Sequence, residues 1–191
     1  MEINALGKVC PIPVILAKKA LREQREGDVV EVLVDNVEAT HNLKKLAEQE
    51  SLDYDVVQEA DERFRVTLTA SGKEKKQELT QEEYAVLLDA DEFGKGESGF
   101  AKSLMETFVY SLTEQDIVPS IVICVNEGVR LSTENEKTVE DLKKLEANGT
   151  EVISCGLCLD NYGLKDKLAV GQITNMFRIT EILRTYKVIS F

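Results

Sequence analysis

Hydrophobic positions repeat with two different periods over the first 70 residues. Val29–Val34 is a near-continuous apolar run with Glu31 inside it, the pattern of a central strand. Phe64, Val66 and Leu68 alternate with Arg65, Thr67 and Thr69, which predicts a strand with one buried face. Met1–Asn4 and Asp53–Glu59 read as two more strands. Elsewhere the period lengthens. Ile12, Leu16 and Ala20 fall on one helical stripe, with Val14, Ala17 and Leu21 beside it. Pro11 and Pro13 are tolerated in a first helical turn, where amide protons are spare. The pattern therefore predicts a helix that starts at Cys10 and ends at Gly27-Asp28. Asp35-Asn36 offers a cap for a second helix, about Val37–Gln49, with Leu43, Leu46 and Ala47 inward. The order β-α-β-α-β-β predicts a small two-layer sandwich with both helices on one face of a mixed sheet.

Residues 71–83 break the pattern. The stretch is a charge run with one glycine and a single large apolar residue, Leu79, and reads as a solvated linker or a polar helix. From 84 to 191 the pattern is alternating strand and helix. Tyr84–Leu88, Ser120–Val125, Glu151–Ser154 and Lys187–Phe191 are the predicted strands. A Gly-rich stretch, Phe93–Gly99, opens a helix to Leu112. In it Phe100, Leu104 and Phe108 form one stripe, beside Ala101, Met105, Val109 and Leu112. Asn126-Glu127-Gly128 reads as a turn. Glu134–Asn148 is a helix closed by Gly149, Cys155–Cys158 a loop, and Thr174–Thr185 a last helix. This alternation predicts a three-layer α/β/α domain with a mainly parallel sheet. The fold class is therefore α/β in two parts: residues 1–70, then residues 84–191.

Composition narrows the function. Among 191 residues, 35 Asp and Glu against 23 Lys and Arg give a net charge of −12. Nucleic acid and anionic membranes need a basic face, so neither is an expected partner. No apolar run approaches a membrane span. Met1 leads into Glu-Ile-Asn with neither a basic nor an apolar leader region. With four cysteines, this points to the reducing cytoplasm and to reactive thiols rather than structural disulfides. One histidine, His41, leaves few conventional routes to general-base catalysis near neutral pH, and it reads as a surface residue.

The candidate chemistry is sulfur chemistry. Cys10 sits at a predicted helix start, where amide groups and the helix dipole favour an anion, so its thiol is expected to ionise readily and a persulfide there would be stabilised. The plainer reading is a small apolar residue capping a helix. Cys155-x-x-Cys158 follows a parallel strand at the sheet end where ligands gather. It fits a dithiol redox pair, half a zinc site, or a receiving thiol with a resolving partner, and equally two small packed residues. No second CxxC or His pair completes a zinc site. Cys124, inside a buried strand, reads as core. Gly94-Lys95-Gly96-Glu97-Ser98-Gly99 matches a dinucleotide fingerprint, but it lies past the strand end and among Asp89, Asp91, Glu92 and Glu97, which would repel a pyrophosphate. It reads as a helix-entry loop, and no cofactor is expected.

Asn4-Ala5-Leu6-Gly7-Lys8-Val9-Cys10-Pro11-Ile12-Pro13 resembles the TusA/SirA-like sulfur-carrier domains, whose hallmark is Cys-Pro-x-Pro at the start of the first helix. Asp and Arg are common in that family where this chain has Asn4 and Leu6. Gly94-Lys95-Gly96, Asn126-Glu127-Gly128-Val129 and Cys155-Gly156-Leu157-Cys158-Leu159-Asp160 resemble the DsrE/DsrF-like domains. The two in this order resemble the YedF group of sulfurtransferase-like proteins linked to selenium metabolism. The resemblance implies that Cys10 bears a persulfide or its selenium analogue, supported by Gly7, Pro11 and Pro13. It also implies that Cys155, beside Gly156, receives the sulfur, and that Cys158 resolves a persulfide on Cys155 or simply packs. The implied partners are a donor such as a cysteine desulfurase and a downstream acceptor, with a homo-oligomer through the DsrE-like domain. The alternatives are a redox-responsive interaction module and a dithiol–disulfide oxidoreductase using Cys155 and Cys158.

Overall fold

Val30, Val32 and Val34 are completely buried on one face of a strand, β2 (Val29–Val34), while Glu31 lies on the other face. This strand organises the first half of the chain. The computed structural model describes residues 1–25, 27–69 and 83–191, and the chain divides into two compact units, Met1–Glu78 and Leu79–Phe191. In the first unit, β1 (Glu2–Asn4) pairs parallel with β2. Then α1 (Ile12–Arg22), β2, α2 (Val37–Glu50), β3 (Asp53–Ala60) and β4 (Arg63–Thr69) follow, with sheet order β1-β2-β4-β3. Pairings β2–β4 and β4–β3 are antiparallel. Ala17 and Ala20 of α1 and Leu43, Leu46 and Ala47 of α2 meet Val66 and Leu68 of β4 in one core, which puts both helices on one face as predicted. Burying a side chain such as Leu43 or Leu68 contributes about 1.5–3 kcal/mol.

Helix α1 differs from expectation at both ends. It begins at Ile12 with Pro11 as its capping residue, two positions after Cys10, and ends at Arg22 rather than Gly27. Its buried stripe is Pro13, Ala17 and Ala20 rather than Ile12, Leu16 and Ala20. The predicted linker lies outside the described residues except for Glu83.

The second unit runs β5 (Tyr84–Leu88), α3 (Ser98–Thr113), β6 (Ile121–Cys124), α4 (Glu136–Ala147), β7 (Glu151–Cys155), α5 (Gly156–Tyr162), β8 (Gln172–Thr174), α6 (Met176–Thr185) and β9 (Lys187–Ile189). All five strands are parallel, in the order β8-β7-β6-β5-β9. Met105 and Val109 of α3, Leu142 and Leu145 of α4, and Leu159 of α5 cover one face. Ile179 and Ile182 of α6 cover the other, over Ala85, Ile121, Ile123 and Ile153. The result is the predicted three-layer α/β/α arrangement.

Four local expectations are corrected here. The stripe that α3 buries is Ala101, Met105, Val109 and Leu112; Phe100 is 63% exposed. Asn126-Glu127-Gly128 is not a bare turn but the start of a 3-10 segment, Asn126–Ser132. The CxxC stretch is not a loop: β7 passes directly into α5 at Cys155-Gly156. Thr174 ends a short strand, and α6 begins only at Met176, capped by Asn175, whose side chain accepts from the Arg178 N–H.

Candidate functional site

Cys10 lies in the turn from β1 to α1, and hydrogen bonds fix that turn at several points. The buried Ala5 donates its N–H to the Leu33 carbonyl at 2.9 Å, and Asn4 Oδ1 accepts from the Leu6 N–H at 3.1 Å. Gly7 adopts φ +72°, a left-handed conformation that costs glycine nothing, with open space where a Cβ would stand. Its N–H donates to Asp35 Oδ2 at 2.5 Å. That bond, reinforced by the Asn36 side-chain amide, holds the Asp35 carboxyl below its ordinary range. Asn36 also caps α2, accepting from the Ala39 N–H at 2.8 Å. Asp35-Asn36 thus ties the cysteine turn to the start of the second helix.

Cys10 itself is exposed, and its bond to Pro11 is cis. Beside it opens a cavity of about 180 Å³ lined by Val9, Cys10, Pro13, Val14, Asn36, Glu38, Ala39 and Asn42. Val9 and Cys10 lead into α1, Pro13 and Val14 lie in its first turn, and Asn36 to Asn42 are the cap and first two turns of α2, so two helix N-termini border the space next to the sulfur. Helix N-termini favour negative charge. The support is not the one expected from sequence, however. Pro11 and Pro13 have no N–H, and the Ile12 N–H is spent on the Val9 carbonyl at 3.0 Å. The start of α2 lines the same cavity and adds the field of its own N-terminus. His41 is exposed on α2.

The second cysteine cluster stands at the C-terminal edge of the parallel sheet. Cys155 ends β7, caps α5 and is completely buried. Gly156 follows because β8 runs close: a Cβ there would lie 3.1 Å from Ile173 Cγ2 and 3.3 Å from the Thr174 carbonyl. Cys158 is half-buried, close enough to Cys155 for the two thiols to interact, and its Sγ accepts the Asn126 N–H at 3.0 Å. Burial pushes the Cys158 thiol up; the Asn126 amide pulls it down, and the neighbouring Cys155 adds to the rise. Asn126 has φ +47°, uncommon for a residue with a side chain. Its Oδ1 accepts from the Tyr162 hydroxyl at 2.7 Å. The Tyr162 ring lies 5.1 Å from the Arg130 guanidinium, which pairs with Glu134 at 2.7 Å. Gly128 is required close by, since a Cβ there would stand 2.0 Å from the Leu88 carbonyl oxygen.

Cys124 is a core residue: burial pushes its thiol up to about 12, against hydrogen bonds from Ser132 and Ser154. The Gly94–Gly99 stretch offers no phosphate cradle. Glu97 folds its own carboxylate over the helix start, accepting from Gly99 and Phe100 at 2.9 and 2.7 Å. Among the described residues no group of three or more His, Cys, Asp or Glu side chains is arranged to hold a metal ion, and no helix is long and apolar enough to cross a membrane. The sequence reading singled out Cys10, Cys155 and Cys158 but not Asp35, Asn126 or Tyr162. An Asn with a Gly two residues later, in Asn126-Glu127-Gly128, was the available signal for a left-handed position at 126.

Comparison with known proteins places the first unit. The family model for sulfurtransferase TusA matches residues 1–70. A protein of Methanocaldococcus jannaschii named as a candidate sulfur carrier is 36% identical over 67 residues, 35% of this chain and 89% of that relative. A similarly named protein of Archaeoglobus fulgidus is 31% identical over 71 residues, 35% of this chain and 91% of its own. Among solved structures, a SirA-like protein from Desulfitobacterium hafniense is 46% identical, covering 37% of this chain and 96% of that one, with a TM-score of 0.35. The ychN protein from E. coli is 18% identical, covering 57% and 99%, with a TM-score of 0.43.

Proposed function

This chain belongs, through residues 1–70, to the TusA sulfurtransferase family, and on that premise we propose that it is a sulfur carrier in which Cys10 holds the sulfur as a persulfide. The observation that carries the reading is an exposed thiol in an anchored turn, beside a cavity where two helix N-termini meet. A donor persulfide, such as that of a cysteine desulfurase, presents its terminal sulfur to the Cys10 thiolate. The new S–S bond forms at Cys10, the donor's S–S bond breaks, and the donor leaves as a thiolate, with no net oxidation. The cavity has room for the added atom. Residues 84–191 we read as a DsrE/DsrF-like domain that passes the sulfur on through Cys155 and Cys158 and through which copies of the chain assemble. Selenium in place of sulfur follows the same displacement chemistry.

The test is to incubate the reduced protein with a cysteine desulfurase and cysteine, and in parallel with selenocysteine. Intact mass and peptide mapping then locate the adduct. A persulfide or its selenium analogue on Cys10, absent from Cys10→Ser, is the expected result. No adduct on any cysteine refutes the carrier reading. A second reading has its own observation: Cys155 and Cys158 bracket the first turn of a helix that follows a strand directly, the placement of a dithiol redox pair. Turnover in a general disulfide-reduction assay, without any sulfur adduct, would favour it.

A further inference from the structure

The two cysteines at the end of β7 are placed unequally, and the inequality reverses the order of events that the family resemblance implies. We propose that Cys158, not Cys155, is the thiol that takes sulfane sulfur from an incoming persulfide, and that Cys155 then expels that sulfur as hydrosulfide by closing a disulfide with Cys158. This rests on the carrier reading only for the source of the sulfur.

Access comes first. Cys155 is completely buried in the core over α6, where the terminal sulfur of a bulky persulfide cannot reach it. Cys158 is only half-buried, so part of it is accessible to a reagent. Stabilisation of charge comes second. The Asn126 N–H points at Cys158 Sγ from 3.0 Å, a donor placed for a thiolate or a persulfide anion. That amide is held there by design of its surroundings. Asn126 sits in a left-handed conformation, which persists only when neighbours over-determine it. Here the Tyr162 hydroxyl pins its side chain, Arg130 lies over the Tyr162 ring, and Glu134 braces Arg130. Among the described residues no backbone N–H donates to Cys155 Sγ as Asn126 does to Cys158, and its neighbour is Cys158 itself, the partner a resolving thiol needs.

The chemistry balances in two steps. The Cys158 thiolate attacks the terminal sulfur of R–S–SH; the Cys158 S–S bond forms, the R–S bond to that sulfur breaks, and R–S⁻ leaves with its electron pair. Cys155 then attacks Cys158 Sγ. The Cys155–Cys158 disulfide forms, the Cys158 persulfide bond breaks, and HS⁻ departs carrying both electrons, so two thiols are oxidised as one sulfane sulfur is reduced. An external dithiol reductant returns the pair to its starting state. The sulfur is thereby delivered as hydrosulfide rather than as a protein-bound persulfide.

The experiment uses the full chain carrying Cys10→Ser, so that its outcome is independent of whether Cys10 is a carrier. The reduced protein, freed of reductant, is treated with glutathione persulfide. Hydrosulfide is measured, and peptide mapping assigns each cysteine. The expected result is about one hydrosulfide per chain together with a Cys155–Cys158 disulfide. Adding Cys155→Ala should abolish the disulfide and leave one extra sulfur atom on Cys158. Adding Cys158→Ser should leave Cys155 unmodified. Tyr162→Phe, which removes only the hydroxyl that pins Asn126, should slow loading of Cys158 by about three- to tenfold, the kinetic equivalent of one neutral hydrogen bond. A persulfide on Cys155 in the Cys158→Ser chain overturns the proposal. So does a glutathione adduct on Cys158 in place of a sulfur atom, or the absence of an added sulfur on Cys158 in the Cys155→Ala chain.

Discussion

At the scale of single residues, the carrier turn depends on one carboxylate. Asp35 accepts the Gly7 N–H on one side and the Asn36 amide on the other, and both bonds require its ionised form. Its folded-state pKa is therefore lowered from 3.8, so this contribution is complete above that value and is lost as pH falls through the lower folded value. The protection factor of the Gly7 amide, measured by hydrogen exchange against the intrinsic rate at each pH, should hold down through pH 3.8 and fall only as pH drops through the lower folded value of Asp35. Asp35→Ala, which removes the acceptor altogether, should lower that protection factor already at neutral pH. None of this was visible in the motif. Cys-Pro-x-Pro announced the cysteine, because two prolines two residues apart restrict the chain so narrowly. The carboxylate that anchors the turn lies 28 residues away in sequence and reaches it only through the parallel pairing of β1 with β2. The same holds for Cys158 and the Asn126 amide, 32 residues apart.

At the scale of elements, legibility followed the length and uniformity of each apolar pattern. β2, β5 and β6 are runs of β-branched and aliphatic residues and were plain. α5 was not: it has seven residues, begins with Gly156, holds Asp160 and Asn161 and stops at Gly163 in a left-handed conformation, all signals of a loop. What makes it helical is Leu159, completely buried under it. β8 has three residues and one apolar side chain, too little for a pattern. In α3 the larger apolar residues, Phe100 and Leu104, suggested the wrong face, since the smaller Ala101 is what lets the helix approach the sheet. The interlock of α3 with α4 gives a quantitative expectation. Leu142 is completely buried among Met105, Val109 and the sheet, so Leu142→Ala should lower unfolding free energy by about 2–5 kcal/mol, measured by denaturant titration.

At the scale of the whole molecule, the net charge of −12 acts on anything that approaches a thiol. An anionic reagent is repelled and a neutral one is not, and salt screens the difference over about 10 Å at 0.1 M. The ratio of Cys10 alkylation rates with iodoacetate and iodoacetamide should therefore rise as ionic strength increases. A basic protein donor should show the opposite trend. Sheet margins have a further consequence. In the second unit both outer strands, β8 and β9, are only three residues long, so a foreign strand would find almost no backbone to pair with. The first unit has one long margin, β3, eight residues with Val56 and Val57 exposed. There the deterrent is charge: Asp53 and Asp55 stand on the strand that a neighbouring chain would have to zip onto, while Glu59 is paired with Arg63 and Arg65. Such a guard is only as strong as the solvent allows. If the protein forms fibres or sheets of many copies, they will nucleate along β3, and first in brine.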